Sequence, residues 1–346
     1  MIKRFYRKIF VAIVQDGGKY DVRIAAQKNK KLLYKESKTF DTSSSLDEVY
    51  GYLKKYLEQS PLHYVALLNP ALKQGALNSC RHHSEDEIAE MSGTKTLCQN
   101  GDWLLYSSLR EIESIQHQYK KIGLDFIFSP FSLLEHFFKD KIHSGFALYA
   151  LAQKDSFSVA LFEDGKLEYA HHYPMQEKSS LSVEEESGTT AGFSVGIKED
   201  DDVEKGISLD DIESLDDLDI LEELDDLSDI EDLDNLEEIA EFSEDEPTFE
   251  EKRIVFPRGS EIKQEMDKFN NDYHRFELIQ RTLMHFYAGE HCRNRFVETV
   301  YIADAYGSGA ELKRYLEEEL FLNVLIRHVE VADELIALSI AEEEGR

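Results

Sequence analysis

The alternation of apolar and polar positions along the chain predicts one order of elements twice. In each half, three short strands precede a helix, and strands then alternate with helices. The strands of the two repeats are expected at residues 8–14, 20–27 and 31–40, then at 145–153, 156–163 and 166–173, and the helices at 44–59 and 259–290. Doubled sheets of this kind face each other across a cleft, and such clefts hold ligands.

The remaining periodicity extends both repeats. An apolar run from Ile9 to Val14 favours a first strand that is buried on both faces. Ser44, with Asp47 three positions later, fits a capping box at the start of the first helix. Further strands are expected at residues 63–68, 103–106, 125–128, 299–302 and 323–326, and further helices at 109–122, 131–139, 310–320 and 331–342.

These elements divide the chain into two α/β halves. We expect the first half at residues 1–143, with a small subdomain at about residues 71–107, where the pattern is hard to read. The second half then comprises residues 144–178 and 252–346, interrupted by residues 179–251. Halves of this size can each bury a core of their own.

The interruption carries most of the negative charge. The net charge is −31, and residues 199–251 hold 27 of the 70 acidic side chains but only one of the 39 lysines and arginines. An apolar residue recurs at every third position from Leu209 to Phe242. That spacing drifts around a helix of 3.6 residues per turn, so one straight helix cannot present it as a single face.

Three interpretations of this acidic segment remain open. Dense like charge opposes compaction and favours a solvated, disordered insertion. Apolar anchors with acidic flanks are also typical of a segment that binds a basic groove on a partner. Calcium binding is the third interpretation, although no glycine-punctuated loop of EF-hand spacing occurs.

Composition argues against several classes of protein. The acidic segment would repel phosphate backbones, and nothing outside it indicates nucleic-acid binding. Cys80, Cys98 and Cys292 are too few and too scattered for a disulfide framework, so we expect a reducing compartment. Residues 2–8 are basic, but the apolar run after them is too short for a signal peptide, and no stretch approaches the roughly 18–20 apolar residues of a membrane span. We therefore expect a cytoplasmic protein that reaches any membrane only through a partner.

The first candidate site is the turn Asp16-Gly17-Gly18 after the first strand, with Arg23 seven residues beyond the aspartate. In phosphate-binding hairpins, an aspartate at a strand end holds a metal-bound water, and a nearby glycine lets backbone N–H groups approach phosphates. The alternative, which the local sequence favours, is an ordinary Asp-Gly hairpin turn.

Two further loops carry weaker signals. The corresponding turn of the second half reads Leu151, Gln153 and Asp155 at the positions that matter, so aspartate and glycine are missing at the required offsets. Gly307 and Gly309 precede a predicted helix and fit either a purine-binding loop or an ordinary loop that starts a helix.

Histidine and cysteine give no strong site. His171 and His172 occupy consecutive strand positions and face opposite sides, so we expect partly exposed residues rather than a catalytic pair. One set of conceivable zinc ligands has a spacing that matches no tight knuckle: Cys80, His82, His83 and Cys98.

Two βββα halves, Asp16-x-Gly18 after the first strand, and a second-half hairpin at residues 157–169 resemble the actin-like ATPase fold. Within it, residues 8–174 and 259–342 resemble the PilM-like branch and the related cytoplasmic domain of GspL-type proteins. The resemblance implies an α/β fold class with two actin-like (ribonuclease H-like) βββαβα halves that face a cleft. The long acidic segment would be an insertion in the second half.

Three loops bind nucleotide in that family. Leu151 and Gln153 stand where the second loop needs aspartate and glycine, and the third loop keeps only displaced glycines. Because metal and phosphates need charges from both sides of the cleft, the resemblance implies no catalysis. If nucleotide is bound, the resemblance assigns it to Asp16, Gly17, Gly18, Arg23, Gly307 and Gly309.

The resemblance implies a non-catalytic cytoplasmic scaffold or adaptor of an inner-membrane assembly platform, in a type IV pilus, a type II secretion system or a competence-type DNA-uptake machine. Its partners would be the short cytoplasmic tail of a single-span platform protein and a motor ATPase, with no cofactor and no nucleic acid. One alternative is an actin-like ATPase that uses ATP with magnesium. The other is a generic adaptor whose acidic segment docks a basic partner.

Overall fold

The computed structural model describes residues 6–43, 46–81, 83–175, 259–289, 295–307 and 309–345. Met1–Ser179 and Pro257–Arg346 form one compact unit, to which all of these residues belong. The second unit, Ser180–Phe256, lies outside the described residues, as does the whole predicted acidic insertion at residues 179–251. Among the described residues, no helix combines the length and the apolar character needed to cross a membrane.

The first half forms a five-stranded sheet. Its elements, in chain order, are β1 (Lys8–Asp16), β2 (Lys19–Lys28), β3 (Lys31–Asp41), α1 (Leu46–Leu57), β4 (Leu62–Leu68), β5 (Gln74–Leu77), α2 (Glu85–Glu90), β6 (Thr94–Gln99), β7 (Trp103–Ser108), α3 (Leu109–Gln118), β8 (Phe126–Phe128) and α4 (Pro130–Phe137). The sheet has the order β3-β2-β1-β4-β8. β1 pairs antiparallel with β2, and β2 with β3, whereas β4 runs parallel to both β1 and β8.

The segment between β4 and α3 forms a separate antiparallel sheet in the order β5-β7-β6. We call β5, α2, β6 and β7 the small subdomain. Helix α2 begins with a capping box, in which Ser84 accepts from the N–H of Glu87 and the Glu87 side chain accepts from the N–H of Ser84. The hydroxyl of Tyr106 on β7 donates to Glu90, which ties α2 to this sheet.

The second half repeats the strand order of the first. Its elements are β9 (Phe146–Ala152), β10 (Ser156–Glu163), β11 (Lys166–Pro174), α5 (Gly259–Ala288), β12 (Thr299–Asp304), α6 (Ala310–Glu319), β13 (Asn323–His328) and α7 (Val331–Gly345). The sheet order is β11-β10-β9-β12-β13. β9 to β11 are antiparallel, and β12 is parallel to both β9 and β13.

The two halves share a central layer of helices. α4 packs on the sheet of the second half, and α7 packs on the sheet of the first half and on α4. Buried residues of both sheets and both helices form one core, in which Phe10, Phe131, Tyr149 and Leu335 are fully buried. Two outer cores lie under α1 and α3 on one side and under α5 and α6 on the other.

The predicted fold class is confirmed: both halves have the actin-like order of three antiparallel strands followed by two parallel ones. The strands and helices of the repeats lie where the apolar pattern predicts them, with ends displaced by a few residues. β5, α2 and β6 were not predicted, because residues 71–101 gave no readable periodicity. Residue 44, the predicted N-cap of α1, lies outside the described residues.

The sequence predicted no disulfide framework and a reducing compartment, but Cys80 and Cys98 are bonded to each other. On the central strand of the small subdomain, Leu104 pairs with Leu77 on one side and with Cys98 on the other. Cys80 follows Leu77 by three residues and therefore reaches Cys98 across this strand, with the two Cα atoms 5.6 Å apart. The sheet, which the sequence did not reveal, creates the pairing.

Candidate functional site

The β1–β2 hairpin tip of the first half and the β9–β10 hairpin tip of the second half are bonded directly to each other. Asp16, at the end of β1, accepts hydrogen bonds from the backbone N–H groups of Lys154 (3.0 Å) and Asp155 (2.8 Å) in the β9–β10 turn. The Asp155 carboxylate in turn accepts a hydrogen bond from the N–H of Gly17 (2.7 Å). Each tip therefore supplies a carboxylate to backbone donors of the other tip, an exchange that we call the tip contact.

Glycine at position 17 permits this close approach. Gly17 has φ +59°, and a Cβ atom there would lie 2.6 Å from Cδ of Lys154. The aliphatic part of Lys154 therefore occupies the space beside Gly17. Gly18 also has positive φ, at +72°, but the nearest atom to a Cβ there would be Oγ1 of Thr42, at 3.8 Å. Position 17 thus needs glycine for conformation and for space, and position 18 for conformation alone.

Hydrogen bonds from backbone N–H groups partly offset the unfavourable burial of the charged Asp16 carboxylate. Burial raises its pKa above the ordinary value, and the nearby negative charge of Asp155 raises it further. The N–H groups of Lys154 and Asp155 lower the pKa, and so does the positive charge of Arg275. The balance leaves the pKa raised, so the tip contact depends on hydrogen bonds more than on a neighbouring cation.

In the loop after β12, an aspartate of the same loop accepts hydrogen bonds from backbone N–H groups. Asp304 accepts hydrogen bonds from the N–H groups of Tyr306 (2.9 Å) and Gly307 (3.0 Å). Gly307 has φ +74°, a conformation that glycine adopts without strain. Burial raises the pKa of Asp304, whereas the two N–H groups and Arg275 lower it.

The start of α6 is capped by a residue of another helix. Gly309 is the N-cap of α6 and has no side chain to offer. The Asp272 carboxylate of α5 accepts instead from the N–H groups of Gly309 (2.9 Å) and Leu312 (3.4 Å). The first turn of a helix leaves backbone donors that suit phosphate or another anion. Here an internal carboxylate takes that place.

Arg275 joins the second-half turn to the loop after β12. Its side chain, which is 1% exposed, donates to Asp272 (3.2 Å) and to the backbone carbonyl of Gln153 (2.8 Å). The guanidinium also lies 5.0 Å from the ring centre of Tyr306. Burial lowers the pKa of Arg275, and the charges of Asp272 and Asp304 oppose that change. The arginine is thus paired inside the protein rather than presented to a ligand.

A nucleotide with magnesium does not fit this arrangement. Backbone donors at all three loops already bond to internal carboxylates, and those carboxylates would repel phosphates. Within the part of the chain that the structure describes, no group of three or more His, Cys, Asp or Glu side chains is arranged to hold a metal ion. The acceptors that take the backbone donors are Asp16, Asp155, Asp272 and Asp304.

Arg23, predicted for the first nucleotide loop, points to other partners. It forms ion pairs with Glu330, with Asp333 (2.9 Å) and with Asp21 (3.6 Å). These carboxylates raise the pKa of Arg23 and offset the burial that lowers it. The structure therefore places Arg23 between the first sheet and the start of α7 and does not join it to the tip contact.

The structure brings together some of the sequence-predicted site residues but adds others. Asp16 and Gly17 meet at the tip contact, whereas Gly307 and Gly309 lie at the loop bonded to Asp304 and Asp272. Asp155 has the wrong offset for a phosphate loop, and in the structure it accepts a hydrogen bond from Gly17 instead. Asp272 and Arg275 were missed, since acidic and basic residues three apart on a helix are typical of exposed ion pairs.

A second buried polar cluster links the small subdomain to the second half. His172 is buried, which differs from the partly exposed position expected for it. Its Nδ1 lies 2.8 Å from the hydroxyl oxygen of Ser158, and its Nε2 lies 3.4 Å from the amide nitrogen of Gln74. The Gln74 amide nitrogen also donates to the backbone carbonyls of Asn69 (3.0 Å) and Ala71 (2.7 Å), so its two protons are already bonded there. Burial lowers the pKa of His172 to about 4, so the ring is neutral near pH 7.

The conceivable zinc ligands are not assembled into a site by the described residues. Cys80 and Cys98 bond to each other and so offer no thiolate while they are oxidised. His82 lies outside the described residues.

The sequence matches two protein families, one in each half of the chain. The family described as domain of unknown function DUF8341 matches residues 148–344, more than half of the protein. The chain belongs to this family. A second family, described as domain of unknown function DUF8569, matches residues 5–135. A search of curated proteins gave no match.

Solved structures resemble the chain over nearly its whole length, at low identity. A Bacteroides thetaiotaomicron protein described as having an actin-like ATPase fold and unknown function is 11% identical, with 96% of each chain covered and a TM-score of 0.46. A PilM–PilN type IV pilus biogenesis complex is 10% identical, with 97% and 98% covered and a TM-score of 0.48. The ethanolamine utilization protein EutJ of Carboxydothermus hydrogenoformans is 10% identical, with 98% and 94% covered and a TM-score of 0.38. Because these TM-scores are below 0.5, we rest the actin-like assignment on the strand order of the two sheets.

Proposed function

We propose that this protein is a non-catalytic adaptor in which internal carboxylates have replaced the phosphates of a nucleotide. The observation that carries the proposal is the tip contact, in which Asp16 and Asp155 bond to backbone donors of the opposite hairpin. A phosphate could reach those donors only by breaking three hydrogen bonds and displacing two carboxylates. The neutral Leu151 and Gln153 at the second loop support the same conclusion, because catalysis of phosphoryl transfer needs charge there.

We further propose that the adaptor serves an inner-membrane assembly platform of the type IV pilus, type II secretion or competence class. Support for this part comes from the residue-level resemblance to PilM-like and GspL-type proteins. The partner would be the short cytoplasmic tail of a single-span platform protein, with a motor ATPase as a second partner. The protein would then act in the cytoplasm, beside the inner membrane, and would bind no cofactor.

Isothermal titration calorimetry with ATP and magnesium tests the non-catalytic part. We expect no heat of binding at micromolar nucleotide for the full chain, and the same result for Asp16→Ala. Asp102→Ala, at an exposed turn of the small subdomain, is the matched control. Micromolar affinity in the full chain that disappears in Asp16→Ala but survives in Asp102→Ala would favour an actin-like ATPase.

The partner is tested by capture from native membranes followed by binding to a defined peptide. The full chain and a variant that lacks residues 199–251 are used side by side. We expect both to recover one single-span membrane protein, and a synthetic peptide of its cytoplasmic tail to bind the full chain in solution. Recovery that depends wholly on residues 199–251 would favour a generic adaptor that docks basic partners through the acidic segment.

A further inference from the structure

Cys80 and Cys98 both lie in the part of the chain that forms the small subdomain, so a disulfide between them constrains that subdomain directly. Cys80 follows β5, and Cys98 lies on β6, the edge strand of the three-stranded sheet. The bond closes a loop with a sequence separation of 18 that contains all of α2. The cores of the two halves hold neither cysteine.

The same elements have contacts that hold them in place without the bond. β6 pairs with β7 over its whole length, from Thr94 to Gln99. α2 keeps its capping box and the hydrogen bond from Tyr106 to Glu90. The sulfur of Cys80 also lies 3.2 Å from the backbone carbonyl oxygen of Trp103, which would accept a hydrogen bond from a free thiol. The fold therefore accommodates both the thiol and the disulfide form of this pair.

Solvent reaches the pair from one side. Cys98 is exposed on the edge strand, whereas Cys80 is half-buried. A small thiol or disulfide in solution therefore reaches Cys98 more readily than Cys80. Small secreted domains need disulfides because their cores are too small. Three extensive cores remove that need here.

We propose that Cys80 and Cys98 form a reversible redox pair that clamps the small subdomain, with glutathione disulfide as the class of oxidant. The Cys98 thiolate attacks one sulfur of glutathione disulfide, which forms a mixed disulfide at Cys98 and releases one glutathione thiolate. The Cys80 thiolate then attacks the Cys98 sulfur, forms the internal bond and releases the second glutathione thiolate. Both cysteine protons pass to the released thiolates, so two thiols are oxidised and one glutathione disulfide is reduced to two glutathiones.

The consequence of oxidation is a stiffer α2 and β6. In the reduced form, the segment between the two cysteines is held by the capping box, the Tyr106–Glu90 hydrogen bond and the pairing of β6 with β7. A hydrogen bond from the Lys73 ammonium to the carbonyl of Ser92 also holds it. The disulfide shortens the free length of this segment and lowers the number of open conformations that the segment can reach. Local opening of α2 should become rarer, while the two large sheets stay unchanged.

Thiol labelling across a series of glutathione buffers tests the proposal. The full chain is equilibrated from fully reduced to fully oxidised glutathione, treated with a maleimide and weighed by mass spectrometry. We expect Cys80 and Cys98 to lose their labels together at an intermediate ratio and to regain them on return to reduced glutathione. Hydrogen exchange of residues 83–97 should be about tenfold faster in the reduced form, with no change in residues 8–16.

Variants separate the steps. Cys80→Ser should retain one glutathione on Cys98 in oxidised buffer, and Cys292→Ser should behave as the full chain does. Labels that persist at every ratio would show that the pair does not form, and a bond that survives fully reduced glutathione would show a permanent staple. Either result overturns the proposal, and so does hydrogen exchange that is equal in the two forms.

Discussion

Four aspartates accept hydrogen bonds from backbone N–H groups at the loops of the candidate site. Asp16 and Asp155 bond to the opposite hairpin, Asp304 bonds to its own loop, and Asp272 caps α6. A carboxylate and a phosphate oxygen seek the same backbone donors, so an internal aspartate can replace a bound anion without a change of fold. Asp16 and Asp304 have raised pKa values because burial outweighs their donors.

His172 gives a residue-scale prediction about pH. Burial lowers its pKa from 6.5 to about 4, so the folded protein binds this proton less readily than the unfolded chain does. The stabilisation is therefore complete above about pH 6.5 and is lost as the pH falls towards 4. The shift corresponds to at most about 3 kcal/mol. His172→Gln should flatten the free energy of unfolding between these pH values.

Urea unfolding at several pH values measures this slope, with the fluorescence of Trp103, the sole tryptophan, as the signal. His117→Gln is the control, because His117 is exposed at the end of α3. An equal slope in His172→Gln and the unchanged protein would contradict the assignment of a neutral, buried ring.

At the scale of elements, the turns between strands join the two halves. The β1–β2 turn provides Gly17 and the β9–β10 turn provides Lys154 and Asp155, so two local hairpins make one long-range contact. The small subdomain adds a second junction where Gln74 of β5 meets His172 of β11. The tip contact forms where β1 and β9 end in their turns, whereas the second junction joins the strands β5 and β11.

The Gly17→Ala variant tests the tip contact, and Gly18→Ala is its control because both glycines have positive φ. Alanine at either glycine has unfavourable positive φ, which costs about 1–2 kcal/mol. At position 17 the added Cβ would also displace Lys154, whereas position 18 has room. We expect Gly17→Ala to lower the free energy of unfolding by about 2 kcal/mol and Gly18→Ala by about 1 kcal/mol. Equal losses in urea unfolding would show that Lys154 yields without cost.

The cap of α6 yields a second prediction at this scale. Asp272→Ala removes two hydrogen bonds to the first turn of α6 and leaves Arg275 buried without its paired charge. We expect a loss of about 3 kcal/mol in the free energy of unfolding. Asp272→Asn keeps an acceptor for Gly309 and should lose less than Asp272→Ala. A loss below about 1 kcal/mol for alanine, which is roughly the value of a simple surface cap, would argue against a buried pair.

At the scale of the whole molecule, the halves exchange helices. α4 packs on the second sheet and α7 on the first, so opening the cleft would disturb the shared core. Among the described residues, five lysine and arginine ion pairs join the first half to α7 and to Glu330 just before it, and only Lys30–Glu344 has both side chains largely exposed. These pairs are Lys8–Glu343, Arg23–Glu330, Arg23–Asp333, Lys30–Glu344 and Lys35–Asp333.

Deletion of residues 199–251 is the prediction for the whole chain. The segment holds most of the excess negative charge, and charge of one sign speeds encounter with an oppositely charged partner. That attraction is screened over roughly 8–10 Å at physiological salt. We expect the melting temperature to stay nearly unchanged and the salt dependence of partner binding to weaken. A large fall in melting temperature would show that the apolar residues from Leu209 to Phe242 bury against the body.

The sequence by itself determined the two repeats, because apolar periodicity reports which faces of local segments are buried. The run from Ile9 to Val14 and the alternation in the second-half hairpin were sufficient to predict both sheets. The small subdomain was only partly predictable. Ser84 followed by Glu87 is a capping-box signal for α2, but the short strands β5 and β6 have almost no periodicity of their own.

Only the tertiary structure decided the chemistry of the cleft. Asp16 accepts bonds from residues 138 and 139 positions away. Cys80 meets Cys98 because it follows Leu77, which pairs with Leu104 of β7 on the side opposite to Cys98. Asp272 and Arg275 form an ordinary helical pair in sequence, and packing against α6 and Gln153 buries them. Local patterns fix what each segment is, whereas the partners of a polar side chain depend on which segments the fold places beside it.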